Sequence, residues 1–256
     1  MKMRSYYLGE LTWPDVKEFL AVHDVAVVPV GSCEQHGPHL PIDTDAYDAF
    51  WLSLKAADKA QCALVAPPIY YGVSSHHMDF PGTVTLSPHI LEQLAYEVAS
   101  SLVKHGFKKL LFENGHGGNT PALEATAQRI KTDTNAFVAI DTVSLIPDFI
   151  EKSIQTSYDA HAGEFETSTT LANREKFVVK NRIKKPRIRL PESKYTKIGL
   201  KESGPKVVWS FRTREISETG VIGDPTKASK KKGETAWKLA IERLADLLME
   251  LDKMQL

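Results

Sequence analysis

The sequence predicts an α/β fold in one domain spanning residues 1–256, with a mostly parallel sheet flanked by helices on both faces. Three observations predict it. Short apolar runs alternate with longer segments of helical periodicity, which is the pattern of βα units. The runs are apolar throughout, as strands buried on both faces must be. The two densest polar clusters follow directly on such runs, and a parallel sheet places its ligand site beyond the carboxyl ends of its strands.

Val25-Ala26-Val27-Val28-Pro29-Val30 reads as the first buried strand. Residues 44–57 follow as a helix, with Ala46, Phe50, Leu54 and Ala57 at helical spacing. Ala63-Leu64-Val65-Ala66 is a second strand, ended by Pro67-Pro68. Residues 88–104 carry Leu91, Leu94, Ala95, Val98 and Leu102 on one stripe, and Gly106 is placed to stop that helix. A strand at 109–112, a Gly-rich turn, a helix over about 121–131 and a strand at 136–140 complete the regular half. Beyond it the sequence predicts a helix over 164–173, a polar connector to about residue 204 and a terminal helix over about 234–254. Residues 175–225 form a long excursion, of the kind that often serves as a lid, a subunit contact or a peripheral subdomain.

Composition excludes several function classes. The chain has 256 residues with 32 basic and 32 acidic side chains, so no net field draws it to nucleic acid or to an anionic membrane. The basic run at 180–189 reads as a solvated connector. There are two cysteines, Cys33 and Cys62, and no paired framework, which favours a reducing compartment. The first eleven residues lack the apolar core of a signal peptide, and charges interrupt every longer apolar stretch. A cytoplasmic protein is expected.

The chemistry is expected in three clusters. The first is Gly31-Ser32-Cys33-Glu34-Gln35-His36-Gly37-Pro38-His39-Leu40-Pro41-Ile42-Asp43-Thr44-Asp45. Glu34 and His36 are two apart, so in extended backbone both side chains point the same way. Gly37 and two prolines then turn the chain, which lets Asp45 return at the start of the next helix. Carboxylates and imidazoles without thiolates suit zinc, manganese or iron, and Asp45 is placed to bridge two such cations. A capped turn is the plainer reading of the same residues.

The second cluster is Glu113-Asn114-Gly115-His116-Gly117-Gly118-Asn119. It offers His116 as a third ligand, or alternatively a nest of backbone N–H groups at a helix N-terminus for a phosphate. The latter corresponds to a non-enzymatic, phosphate-binding regulatory module. The third, His161-Ala162-Gly163-Glu164-Phe165-Glu166-Thr167-Ser168, again sets histidine beside acids and reads alone as an acid-rich helix start.

On these three segments the chain resembles the creatininase (creatinine amidohydrolase) family. The resemblance implies a single α/β domain, commonly a hexamer, with a binuclear metal centre that hydrolyses C–N bonds of amides. Carried over by motif, Glu34 and His116 hold one divalent cation, His36 holds the other, and Asp45 bridges them. Creatinine hydrolases place a glutamate two residues after the second motif's histidine. Gly118 stands there instead, so the missing ligand is expected from Glu166, with Glu164 as second choice. Gly-His-Gly-Gly-Asn is closer to the branch containing a formamidopyrimidine-nucleotide deformylase and peptide-maturation hydrolases, and residues 150–160 lack the tryptophans that flank creatinine.

The expected reaction is hydrolysis of a small-molecule amide, cyclic amide or formamide, by a water shared between two cations. His161 is expected to protonate the leaving nitrogen, with Glu164 orienting it or shuttling the proton. The loop Ser74-Ser75-His76-His77 is expected on the substrate side, with Ser74 and Gly117 lining the pocket; a surface turn is the plainer reading of that loop. Gln35, His39 and Asp43 are expected to support the ligands, and Cys33 to be a small packing residue.

Overall fold

A computed structural model describes residues 3–255, apart from residues 145, 191, 192, 194, 196–198, 202–206 and 208. Its sheet is parallel throughout. Strands β1 (Val25–Val30), β2 (Ala63–Val65), β3 (Lys109–Asn114) and β4 (Phe137–Thr142) lie in the order β2-β1-β3-β4. All residues of β1, β2 and β3 are buried. Burying a Leu or Phe such as Leu110, Leu111 or Phe112 contributes about 1.5–3 kcal/mol each.

The connecting helices are α2 (Thr44–Ala60), α3 (Pro88–Lys104) and α4 (Thr120–Thr134). Right-handed crossovers, from β1 to β2 in one direction and from β2 to β3 to β4 in the other, put α2 on one face and α3 and α4 on the other. Two later helices, α6 (Glu164–Asn173) and α8 (Lys230–Lys253), extend the α2 layer. The terminal helix starts before the expected residue 234: its opening lysines lack an apolar stripe, but Ser229 caps Lys232 N–H. Three helices lie outside the expected elements: α1 (Trp13–Leu20), α5 (Pro147–Ser153) and α7 (Thr213–Ile216). Of these, α1 was signalled by its capping box, Thr12 with Asp15, and by Pro14.

The strand order reverses between β1 and β3. That switch point opens a crevice at the carboxyl ends, just where the first two polar clusters begin.

One buried acidic pair lies within the sheet. Glu113 on β3 is in register with Asp141 on β4, and Arg243 of α8 donates to Asp141. Burial and the neighbouring Asp141 push the Glu113 carboxyl well above its ordinary value. Protonated, Glu113 is a donor to Asp141. The folded chain thus holds a proton that the unfolded chain releases near pH 4–5. This contribution is complete at low pH and is lost as pH rises through the folded pKa, with a slope of up to about 1.4 kcal/mol per pH unit. Glu113→Gln keeps a donor that does not titrate. Melting curves of the chelated protein between pH 5 and 8 should fall less steeply for Glu113→Gln than for the wild type; parallel curves would count against a shared proton.

Candidate metal centre

Two glycines bring the ligands together. A Cβ at Gly31, just after β1, would lie 2.1 Å from Ala46 Cα, and one at Gly115, just after β3, would lie 2.2 Å from the Asp45 carbonyl oxygen. Only bare backbone lets the first turn of α2 nest against both strand ends. Asp45, 4% exposed, thereby sits between the β1 and β3 termini. The β3 turn is pinned by Asn119, whose amide donates to Gly31 O at 3.0 Å and to Asn114 Oδ1 at 3.2 Å.

With the imidazoles neutral, as metal ligation requires, their tautomers follow from their hydrogen bonds. His36 Nδ1 lies 3.1 Å from Glu34 O, so it carries the hydrogen and Nε2 is bare. His116 Nε2 donates to Val73 O at 2.9 Å, which leaves Nδ1 bare. His161 Nε2 donates to Gln35 O at 2.7 Å, again leaving Nδ1 bare. Each bare nitrogen faces carboxylate oxygens. His36 Nε2 is 3.0 Å from Asp45 Oδ1 and 3.8 Å from Glu166 Oε2. His116 Nδ1 is 3.3 Å from both Glu34 Oε1 and Asp45 Oδ2, and His161 Nδ1 is 3.6 Å from Glu34 Oε1. Glu34 Oε1 and Asp45 Oδ2 are buried and accept no hydrogen bond. A lone pair aimed at an anion is repulsive unless a cation lies between, and second N–H groups anchored on carbonyls are what metal-ligating histidines show.

The donors therefore fit divalent cations. Glu34, Asp45 and His116 form one group whose ligand atoms lie within 4.8 Å of one another, and His36, Asp45 and Glu166 form another. Asp45 is common to both. A third grouping, Glu34, His36 and His161, lies between them. Ionisation follows the same geometry. Without a cation the same nitrogens bind protons instead: burial opposes charge on His36 and His116, yet Asp45 holds the first up at about 10 and Glu34 holds the second well above its ordinary value. Burial pushes Glu166 up to about 8. In Glu34 burial acts the other way and loses to His116, which keeps the carboxyl well below the usual range.

The structure separates the two glutamates of α6. Glu166 turns into the centre and accepts from Ala162 N–H, in a turn where Ala162 adopts φ 49°. Holding that left-handed conformation costs on the order of 1–3 kcal/mol. Glu164 points away. Its Oε2 accepts from Gln155 N–H, Thr156 N–H and the Thr156 hydroxyl, and its Oε1 from Lys232. The expectation that Glu164 orients His161 or moves its proton is corrected: this carboxylate ties α6 to α8. No ligand can come from position 118, because a Cβ there would meet Val73 O at 2.3 Å and His116 Nε2 at 2.4 Å.

Other expectations sort as follows. Ser74 is wholly buried against Ser32 and His116 Nε2 and does not line the cavity, so its place on the substrate side is corrected to a support for the ligand loop. Gly117 does line the cavity. His161 is neutral near pH 7, because burial and neighbouring His36 lower it to about 3. An imidazole in that state accepts a proton at Nδ1 before it gives one, which reverses the expected starting state. Asn119 N–H is spent on His116 O, so the phosphate nest lacks one of its donors. His39 bonds Thr167 Oγ1 at 2.8 Å and Asp43 pairs with Arg174, both outside the centre.

The centre opens into a cavity of about 980 Å³. Residues 209–213 and 215, from the excursion, form part of its wall, together with His76, His77 and Gly117. Thr213, buried at the centre's edge, was not singled out by the sequence, whereas His77 beside it lies in the loop 74–77 expected on the substrate side.

The family model for creatininase, creatinine amidohydrolase, matches residues 9–248. The chain belongs to the creatininase family. A mycofactocin precursor peptide peptidase of Mycolicibacterium smegmatis is 33% identical over 227 residues, covering 87% of this creatininase-family chain and 83% of that protein. The creatinine amidohydrolase of Pseudomonas putida is 26% identical over 266 residues, covering 96% and 97%. The solved manganese form of a creatininase superposes with a TM-score of 0.80 at 24% identity, over 98% of this chain and 100% of that one, and shows that the fold is shared.

Proposed function

We propose that this chain is a metal-dependent amidohydrolase that binds two divalent cations, zinc, manganese or iron, and hydrolyses a C–N bond of a small-molecule amide. The observation that carries the reading is Asp45, whose two oxygens belong to two different ligand groups, each completed by a carboxylate and a bare imidazole nitrogen. Bound there, the cation pair supplies Lewis acidity that activates water and polarises the scissile carbonyl. His161 Nδ1 takes a proton from the attacking water. As the C–N bond breaks, the same nitrogen returns that proton to the leaving amine. Gln35 O holds the ring in the orientation this needs, with Nδ1 turned toward Glu34 Oε1 at 3.6 Å.

A second reading, hydrolysis in peptide maturation, is favoured by the cavity. Its volume of about 980 Å³ is large for a compact cyclic amide and stands near the top of the roughly 300–1,000 Å³ range of small-ligand sites. A formamidopyrimidine nucleotide is a third candidate of intermediate size. Homo-oligomerisation, hexameric by family resemblance, and action in the cytoplasm belong to the same proposal. The latter is supported by the free thiols of Cys33 and Cys62, and among the described residues no helix is long and apolar enough to cross a membrane.

Elemental analysis of the purified protein should find about two divalent ions per chain. Turnover is then measured on creatinine, a formylaminopyrimidine nucleotide and short peptides with added manganese or zinc. Chelator-sensitive hydrolysis of one of them supports the reading. A chain that binds inorganic phosphate, takes up no cation and hydrolyses none of the three is a binding module instead.

A further inference from the structure

We infer that His77 is a positioning residue for the cation ligand Glu34, held in its working tautomer by Gln35 and by Thr213 of the excursion. The inference rests on the two-cation reading above and adds a link between the cavity wall and the metal site.

Hydrogen-bond accounting fixes the tautomer. Gln35 Oε1 accepts from Gly37 N–H at 2.8 Å, which settles the orientation of its amide. Gln35 Nε2 is therefore the donor side, and it has three neighbours: His77 Nδ1 at 2.8 Å, Gly220 O at 3.1 Å and His161 Nε2 at 3.0 Å. His161 Nε2 carries its own hydrogen, committed to Gln35 O at 2.7 Å, so it cannot accept. The two amide hydrogens go to Gly220 O and His77 Nδ1. An acceptor at Nδ1 means that neutral His77 carries its hydrogen at Nε2. The hydroxyl of Thr213, 2.9 Å from the same Nδ1, adds a second donor to that lone pair.

His77 Nε2 lies 3.4 Å from Glu34 Oε1. Two other ring nitrogens approach that oxygen, His116 Nδ1 and His161 Nδ1, and in the neutral, cation-binding form both are bare. Among the described residues His77 thus turns an N–H toward Oε1 at 3.4 Å, a polar contact rather than a formed hydrogen bond, since Oε1 has no hydrogen-bond partner. Its ring is braced against that of His161, with centroids 4.3 Å apart, and is 2% exposed. Supporting donors of this kind orient a carboxylate ligand, and their loss costs roughly 10–100-fold in metal affinity.

Thr213 opens α7, directly after cavity-wall residues 209–212, and is wholly buried. The wall against which a substrate rests therefore ends in the hydroxyl that steadies His77. The sequence Thr213, His77, Glu34 joins the excursion to the cation site, its first link alone crossing 136 positions of chain.

The test has two arms. In the first, zinc affinity is measured by competition with a chromophoric chelator, with the melting temperature of the chelated protein as a control for folding. His77→Phe should weaken zinc binding by about 10–100-fold. His77→Gln, which restores an N–H at a similar reach, should recover most of it. Thr213→Val should shift affinity in the same direction, whereas Thr213→Ser should match the wild type. Affinities within twofold of wild type for both His77→Phe and Thr213→Val, at unchanged melting temperature, would overturn the inference. The second arm needs no variant. Long-range proton–nitrogen correlation spectra of the imidazole rings in the chelated wild type report the tautomer: a protonated Nε2 at His77 supports the assignment and a protonated Nδ1 overturns it. Failure of wild-type protein to bind zinc at all would instead strike the proposed function.

Discussion

Asp45→Asn should strip the centre of its cations and lower turnover at least about 10³-fold. Asp45 is the single residue shared by both ligand groups, so its loss touches both positions at once. Its Oδ1 faces His36 Nε2 at 3.0 Å and its Oδ2 faces His116 Nδ1 at 3.3 Å. The amide keeps the size and rotamer but removes the charge that offsets two cations. Charge stabilisation by bound metal is worth several kcal/mol in the transition state, and about 4 kcal/mol corresponds to three powers of ten. Metal content by mass spectrometry and turnover under matched metal concentrations are the measurements. Two tightly held ions per chain in Asp45→Asn would show that Asp45 does not bridge.

His161→Ala should behave differently: kcat falls by about 10²–10⁴-fold while metal content stays at the wild-type level. Both ligand groups that share Asp45 are complete without His161. What the substitution removes is a bare Nδ1, 3.6 Å from Glu34 Oε1, on a ring kept neutral by burial and by His36. A base in that state is ready to take a proton near pH 7, so the lost step is proton transfer rather than binding. KM should change little. A halved metal content would make His161 a ligand, and turnover within tenfold of wild type would remove it from proton transfer.

Much of this centre was legible along the chain because its ligands follow strands. Glu34, His36 and His116 come directly after runs whose burial is plain from their composition, and a parallel sheet gathers such ends in one crevice. Asp45 was legible because two prolines and a glycine return the chain to a helix start. Glu164 and Glu166 were harder to tell apart. Both lie in the first turn of α6, and the choice depends on Gly163 and on Ala162 at φ 49°, with Lys232 of another helix claiming the first glutamate. Ser74 misled because a loop serine next to a cavity turned inward to meet Ser32. Thr213 stayed hidden for a related reason: it has no local signature, and its partnership with His77, which the sequence placed only in a substrate-side loop, exists only once the excursion has folded back over the sheet.

The contact of α2 with both strand ends also bears on how the molecule comes into being. Ligands are drawn from the end of β1, the start of α2, the end of β3 and the start of α6, so in an emerging polypeptide the group of Glu34, Asp45 and His116 can close only once β1 and β3 have paired, and the group that needs Glu166 only after α6 has left the ribosome. Long-range pairing of this kind is slow compared with helix formation. On the proposed two-cation reading the group with Glu166 is metallated late, and an ion bound there would clamp segments lying far apart in sequence, raising the unfolding free energy by RT ln(1 + [M]/Kd). Cells starved of the metal would carry a chain that is easier to open and easier for proteases to remove.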